Sequence, residues 1–277
     1  MLTAPILLGL LSALTWGAGD FNGGLATKRS NPYGVIAVAH IISLGLLLLL
    51  VPVIGEPVPP LEDWLWGGGA GLTGGIGLLL LYRALAEGRM SLAAPVSALL
   101  AAVLPVVVGI VLEGNPGAWV LFGFLLALVA VWLVSGGEGV IIRFDDLRQP
   151  VLAGITFGAF FIFLEHASHT SLLWPLIAVR IVSVSSLLGY AIVTRQPWIP
   201  KRESLVPIIL SSVLDTAGNA CYALSARMGR LDVAAVLGAL YPGATVILAW
   251  VFLKERISRI QAIGILLALG AIILLTL

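Results

Sequence analysis

Apolar stretches of about twenty residues, separated by short polar connections, follow one another along the whole chain. The clearest is residues 231–256, which carries no charge between Asp232 and Lys254 and is interrupted once, at Tyr241-Pro242. A helix that crosses the hydrocarbon core of a bilayer needs ~20 apolar residues, and its backbone must satisfy its own hydrogen bonds there. The pattern therefore predicts an all-α integral membrane protein.

Ten such segments predict ten transmembrane helices. They comprise residues 4–26, 35–54, 64–85, 93–112 and 118–135, and then residues 151–169, 172–194, 205–224, 233–253 and 260–277. Residues 136–149 form the longest polar connection, so we interpret them as a linker between a first unit, 1–135, and a second, 150–277.

The second unit repeats the first. Residues 88–94 (GRMSLAA) match residues 229–235 (GRLDVAA), and at the offset that aligns the first and sixth spans Asp20 corresponds to Glu165. Because each unit has an odd number of spans, five, the second copy must enter the membrane from the opposite side. The sequence thus predicts two inverted five-helix repeats, an architecture of many secondary transporters, whose sites lie where the halves meet.

Composition agrees with a membrane protein and excludes several other classes. Hydrophobic residues make up 60% and charged residues 10% of the chain, and the mean hydropathy is +1.09; a soluble domain could not cover that much apolar surface. A net charge of +1 gives no reason to expect nucleic acid as a partner. With Cys221 as the only cysteine, and no Walker loop, catalytic triad or metal-ligand cluster, we expect neither an enzyme nor a bound cofactor.

The basic residues predict the orientation. The connections after the odd-numbered spans hold twelve of them, and the connections on the other side hold only Arg227 and Arg230. The twelve are Lys28, Arg29, Arg83, Arg89, Arg143, Arg148, Arg195, Lys201, Arg202, Lys254, Arg256 and Arg259. Because Lys and Arg favour cytoplasmic loops, we expect a multi-pass protein of the inner (plasma) membrane with both termini on the non-cytoplasmic side. The first segment lacks a basic start, so it is predicted to be a retained span.

Three stretches resemble the EamA-domain family of the drug/metabolite transporter superfamily. They are residues 16–21 (WGAGDF), residues 82–85 (YRAL) leading to Gly88, and the run from 239–242 (ALYP) to 253–256 (LKER). The resemblance covers the whole chain. It implies a ten-helix permease for small metabolites, amino acids or toxic organic compounds, mostly moved outward, and it leaves the substrate open.

Asp215 is the main candidate for the chemistry of transport. It lies near the middle of the eighth span with Asn219 one turn later, and Gly75 occupies the equivalent position of the third span. Acids at that depth are costly and usually face a cavity or a partner. One hypothesis is that Asp215 takes and releases a proton and couples it to substrate movement; the alternative is an acid hydrogen-bonded to the next helix.

Two further acids have basic residues at similar predicted depth across a helical hairpin. We expect Asp20 to pair with His40, and Glu165 to pair with Arg180, as symmetry-related acid–base pairs. The alternative is that Asp20 and Glu165 are hydrated near the membrane interfaces. Six aromatic residues could line a cavity for organic substrates: Trp16, Tyr82, Phe161, Tyr222, Tyr241 and Trp250. Of these, Trp16, Tyr82, Tyr222 and Tyr241 are the candidate site residues.

These features predict a secondary active transporter, an exporter working by alternating access and hypothetically coupled to protons. Its partners would be a small-molecule substrate and the lipid bilayer, and it would be a monomer or a homodimer. A lipid or lipid-linked headgroup flippase or scramblase is the alternative, and it would need a groove open to the bilayer rather than a polar pocket. A subunit that transports nothing would have no cavity beside Asp215.

Overall fold

The computed structural model describes residues 3–86, 90–135, 144–254 and 258–275, with the backbone alone at residues 3, 82–86, 90–95, 135 and 144–146. Throughout these residues the chain is helical and forms no strand. The helices are α1 (Thr3–Thr27), α2 (Pro32–Ile54), α3 (Leu61–Ala86), α4 (Met90–Glu113), α5 (Ala118–Ser135), α6 (Phe144–Ala167), α7 (Leu173–Val193), α8 (Leu205–Met228), α9 (Leu231–Gly238), α10 (Tyr241–Leu253) and α11 (Arg259–Leu275).

The helices confirm the all-α membrane class. Eight spans in the described chain are long and apolar enough to cross a bilayer, with α9 and α10 together forming one of them. The two shorter apolar helices, α5 and α11, complete the ten segments that the sequence predicts. Exposed apolar side chains such as Leu49, Val53 and Leu266 cover the outside of the bundle, where lipid chains rather than water would surround them.

One element, the start of α6, differs from the sequence-based prediction, and another, the break in the ninth span, agrees with it. Helix α6 begins at Phe144, inside the predicted linker. The predicted start is later because the first turns of the helix are polar and carry no apolar signal. The ninth span is two helices, and the break lies just before Tyr241-Pro242, where Leu240 N donates to Leu237 O at 3.2 Å in a tighter turn. Pro242 has no N–H to continue the α-helical ladder, which accounts for the new start at α10.

Glycines allow the closest helix approach. Gly67, Gly71 and Gly75 recur every fourth residue of α3 and all face α7. A Cβ on Gly71 would lie 2.4 Å from Val179 O, so only glycine fits there. Small residues at every fourth position let helix backbones approach closely, and α3 packs on α7 in this way.

Candidate functional site

A cavity with about 730 Å³ of empty space, part of it open to the outside, lies between helices of both halves of the chain. Helices α1, α2, α3, α4, α6, α7, α8 and α10 all contribute to its wall, which is mostly apolar. Seven of the ten residues singled out from the sequence line it: Trp16, Asp20, His40, Arg180, Asp215, Asn219 and Tyr241.

The other three do not belong to the described cavity wall. Tyr222 is fully buried behind it and donates its hydroxyl hydrogen to Phe161 O at 3.1 Å. Glu165 lies in the last turn of α6, where His166 Nδ1 and His169 Nε2 are 2.8 and 3.2 Å from its carboxylate oxygens. The side chain of Tyr82 is outside the described part of the chain.

The acid–base pairing predicted from helix depth is wrong. Arg180 Nη2 contacts Asp215 Oδ2, not Glu165, and the Arg180 side chain is only 3% exposed. His40 Nδ1 lies 2.8 Å from Ser183 Oγ rather than on Asp20. Depth along a helix gives height in the membrane but not the direction in which a side chain points, which is why both pairs were misassigned.

Two side chains hold Asp215. Its Oδ2 accepts from Arg180 Nη2 and, at 3.3 Å, from Asn219 Nδ2. Asn219 Oδ1 in turn accepts from Trp16 Nε1 at 3.0 Å. The indole of Trp16 fits against α8 because position 218 is a glycine, whose added Cβ would lie 2.4 Å from Trp16 Cδ1. The amide therefore fixes the carboxylate and the tryptophan in one arrangement.

A chain of hydroxyl groups holds the guanidinium. Arg180 Nε donates to Ser43 Oγ at 2.8 Å, and Ser43 Oγ lies 2.6 Å from Thr216 Oγ1. Thr216 donates its only hydroxyl hydrogen to Ser212 O at 2.7 Å, so Ser43 must donate to Thr216. Each buried donor along this line has an acceptor, as a buried charge at bilayer depth requires.

Helices α2 and α7 cross through two equivalent contacts. His40 on α2 reaches Ser183 on α7, and Arg180 on α7 reaches Ser43 on α2, each over 2.8 Å. The four residues stand in two identical spacings, HIIS at 40–43 and RIVS at 180–183. In the first contact the residue at 40 meets the serine of the other helix, and in the second the residue at 180 does the same. Such a reciprocal pair of contacts is typical of a two-fold axis. Positions 180 and 183 lie 140 residues after positions 40 and 43. This shared offset was the signal in the sequence that would have placed Arg180 beside Ser43.

An aromatic stack lies at one end of the cavity. The ring centroids of Trp16 and Phe161 are 5.4 Å apart, and Tyr222 packs on Phe161 at 4.7 Å and on Trp16 at 5.6 Å. Phe161 and Tyr222 are at most 5% exposed. The stack joins α1, α6 and α8 and fills the space between them.

Of the charged side chains that line the described cavity, Asp20 differs from Arg180 and Asp215, which contact each other directly. It is exposed into the cavity, and no described residue forms a hydrogen bond or an ion pair with it. The neighbouring Gly19 packs against α8, where an added Cβ would lie 3.5 Å from Asp215 N, an ordinary contact distance. No group of three or more His, Cys, Asp or Glu side chains in the described residues is arranged to hold a metal ion.

Comparison with known proteins identifies the family. A crystal structure of a protein with 17% sequence identity superposes with a TM-score of 0.81, over 100% of this chain and 99% of that chain, so the two share a fold. No protein of curated function matches the chain in sequence. The family model of the EamA-like transporters matches residues 3–136 and 150–277, which together span nearly all of the sequence. The chain belongs to the EamA-like transporter family, within the drug/metabolite transporter superfamily.

Proposed function

We propose that the protein is a secondary transporter that exports small molecules by alternating access. The observation that carries this proposal is the cavity, which helices from both halves enclose and into which charged and aromatic side chains project. Membership of a transporter family supports it. The lipid-handling alternative gains no support, because the wall of this cavity comes from eight helices rather than from two spans beside an open groove.

Alternating access is simplest if the halves are inverted copies, and the helix contacts support that relation. If the halves are copies, α1, α2, α3 and α4 correspond to α6, α7, α8 and α9. The packing of α1 on α8 then has a counterpart in the packing of α6 on α3, and both are present. Likewise, the packing of α4 on α6 has a counterpart in that of α9 on α1. The paired contacts at the α2–α7 crossing follow the same correspondence.

The cavity extends toward the basic connections. Asp20, His40 and Leu81 lie on the parts of their helices that lead to that side. On the other side Arg230 Nη2 binds Asp232 at 2.8 Å and Gly114 O at 2.7 Å, which ties α9 to the end of α4. Since basic loops are cytoplasmic, the substrate would enter from the cytoplasm.

Impermeant thiol labelling of intact cells tests this orientation. In a Cys221→Ala background, Asn115→Cys should be labelled from outside and Lys201→Cys should not, because these exposed residues lie on opposite sides of the bundle. Labelling of Lys201→Cys alone would reverse the proposed topology.

We further propose that Asp215 couples transport to protons. Arg180 stabilises the Asp215 carboxylate as an anion by direct contact, and Asp20 and His40 are the other ionisable groups in the same cavity. A proton on Asp215 would remove the charge that Arg180 binds. It would leave a buried guanidinium without a counterion, so protonation and rearrangement of α7 against α8 would be linked.

Asp215→Asn tests the coupling because it preserves size and hydrogen bonding but removes titration. We expect the variant to fold and bind substrate but to lose accumulation driven by a pH gradient, while keeping passive exchange. Uptake of labelled 2-phenylethylamine and phenylalanine into proteoliposomes is the measurement. Glu165→Gln, outside the cavity, is the control and should retain coupling. Unchanged pH-driven uptake by Asp215→Asn would contradict the role, which would then pass to Asp20.

A further inference from the structure

The charges of the described side chains that line the cavity do not balance, and their excess points to the substrate. We propose that the cavity binds organic cations, molecules in which a protonated or quaternary amine is attached to an aromatic or other apolar body, and that Asp20 binds the amine. The inference rests on the proposed transport function, since it names the substrate class for the same cavity.

Asp20 is the charge that lacks a counterion. Arg180 and Asp215 neutralise each other by direct contact, and the Nδ1 atom of His40 is engaged by Ser183 Oγ. Asp20 faces the same space, and none of the described residues bonds to it. A carboxylate within a membrane domain needs a partner or hydration, and a bound cation would supply that partner.

Among the described residues of the cavity, the strongest donors for an anionic ligand are already engaged. Arg180 is 3% exposed, and its Nε and Nη2 atoms already donate to Ser43 and Asp215. Asn219 donates one N–H of its amide to Asp215, and its carbonyl oxygen accepts from Trp16. A carboxylate or phosphate would have to displace Asp215 from Arg180, so anions and zwitterions should bind less tightly than cations.

The rest of the wall suits an apolar body beside a positive charge. Phe157, Phe160, Phe161, Trp16 and Tyr241 contribute aromatic side chains to it. Aromatic faces attract cations, most strongly where water is excluded. The apolar wall and the unbalanced negative charge therefore favour the same class of ligand.

Four phenyl compounds that differ mainly in charge test the inference. They are 2-phenylethylamine (cation), 3-phenylpropionate (anion), phenylalanine (zwitterion) and 2-phenylethanol (neutral). Calorimetric titration of the purified full chain in detergent should show the cation binding about tenfold more tightly than the other three. Asp20→Asn should lower the affinity for the cation about tenfold and leave that for 2-phenylethanol unchanged. Asp20→Glu, which restores the charge, should recover most of the loss, and Glu165→Gln should have no effect.

Several outcomes would overturn the inference: tighter binding of the anion or zwitterion, an undiminished preference for the cation in Asp20→Asn, or binding of none of the four. Counterflow in proteoliposomes separates this from the proposed function. Exchange of 2-phenylethylamine that is undiminished in Asp20→Asn would leave the transporter standing and remove the cation inference. Binding of the cation that depends on Asp20, without any exchange across the membrane, would do the reverse.

Discussion

Helices α2 and α7 make the same crossing contact twice, but only one of the two copies carries a charge. His40 to Ser183 is a neutral contact, whereas its equivalent, Arg180 to Ser43, holds a guanidinium. The difference continues in the next helices, because α8 places Asp215 beside Arg180 and α3 has Gly75 at the equivalent position. The repeated sequence supplies the geometry of the crossing, and the substitutions between the copies supply its chemistry.

The packing of the crossing is the same in both helices. The buried residues of α2 include 35–37, 39, 40, 43 and 47, and the buried residues of α7 include 175–177, 179, 180, 183 and 187, at the same offset of 140. A buried stripe of one shape therefore accepts either histidine or arginine at its centre. What distinguishes the halves is whether the following helix provides an acid.

Of the substitutions at the α2–α7 crossing, Arg180→Ala should lower the stability of the protein most. Arg180→Ala leaves Asp215 without its counterion, and breaking a buried ion pair costs about 3–5 kcal/mol. Because Asp215 is 35% exposed, we expect the lower end of that range. His40→Ala removes one neutral hydrogen bond and should cost about 0.5–1.5 kcal/mol. Thermal unfolding of both variants in the same detergent measures the difference.

The double variant Arg180→Ala/Asp215→Ala is the control for this prediction. It removes both charges, so its stability should recover above that of Arg180→Ala despite the second truncation. Equal losses in Arg180→Ala and His40→Ala, or no recovery in the double variant, would mean that the ion pair does not distinguish the two halves energetically.

The sequence predicted the helices well because hydrophobic length determines a membrane span. It also located the interruption of the ninth span, since Pro242 removes a hydrogen-bond donor from the helix. It failed at the start of α6, where the first turns are polar. These features depend on local composition, which a single chain displays in full.

Side-chain pairing was predicted less well because it depends on helix rotation. Seven of ten candidates line one cavity, since polar residues at bilayer depth are placed inward. The partner of Arg180, however, is Asp215 and not Glu165. The two serines that fix the α2–α7 crossing, Ser43 and Ser183, have no charge and were not singled out, although their shared offset was visible in the sequence.

These two serines give the smaller and more selective prediction. Ser43 accepts from Arg180 Nε at 2.8 Å and donates to Thr216 over 2.6 Å, whereas Ser183 contacts His40 alone among the hydrogen bonds described at that residue. Ser43→Ala leaves a buried N–H of a cation unsatisfied, so we expect a loss of about 1.5–3 kcal/mol. Ser183→Ala breaks a bond between neutral groups and should cost about 0.5–1.5 kcal/mol. In the Arg180→Ala background Ser43→Ala should cost only its neutral bond to Thr216, about 0.5–1.5 kcal/mol, because its cationic donor is absent. Ser183→Ala should keep its full cost there. A double-mutant cycle by thermal unfolding measures both couplings, and coupling of Arg180 to Ser183 as strong as to Ser43 would show that the two contacts of the crossing are not independent.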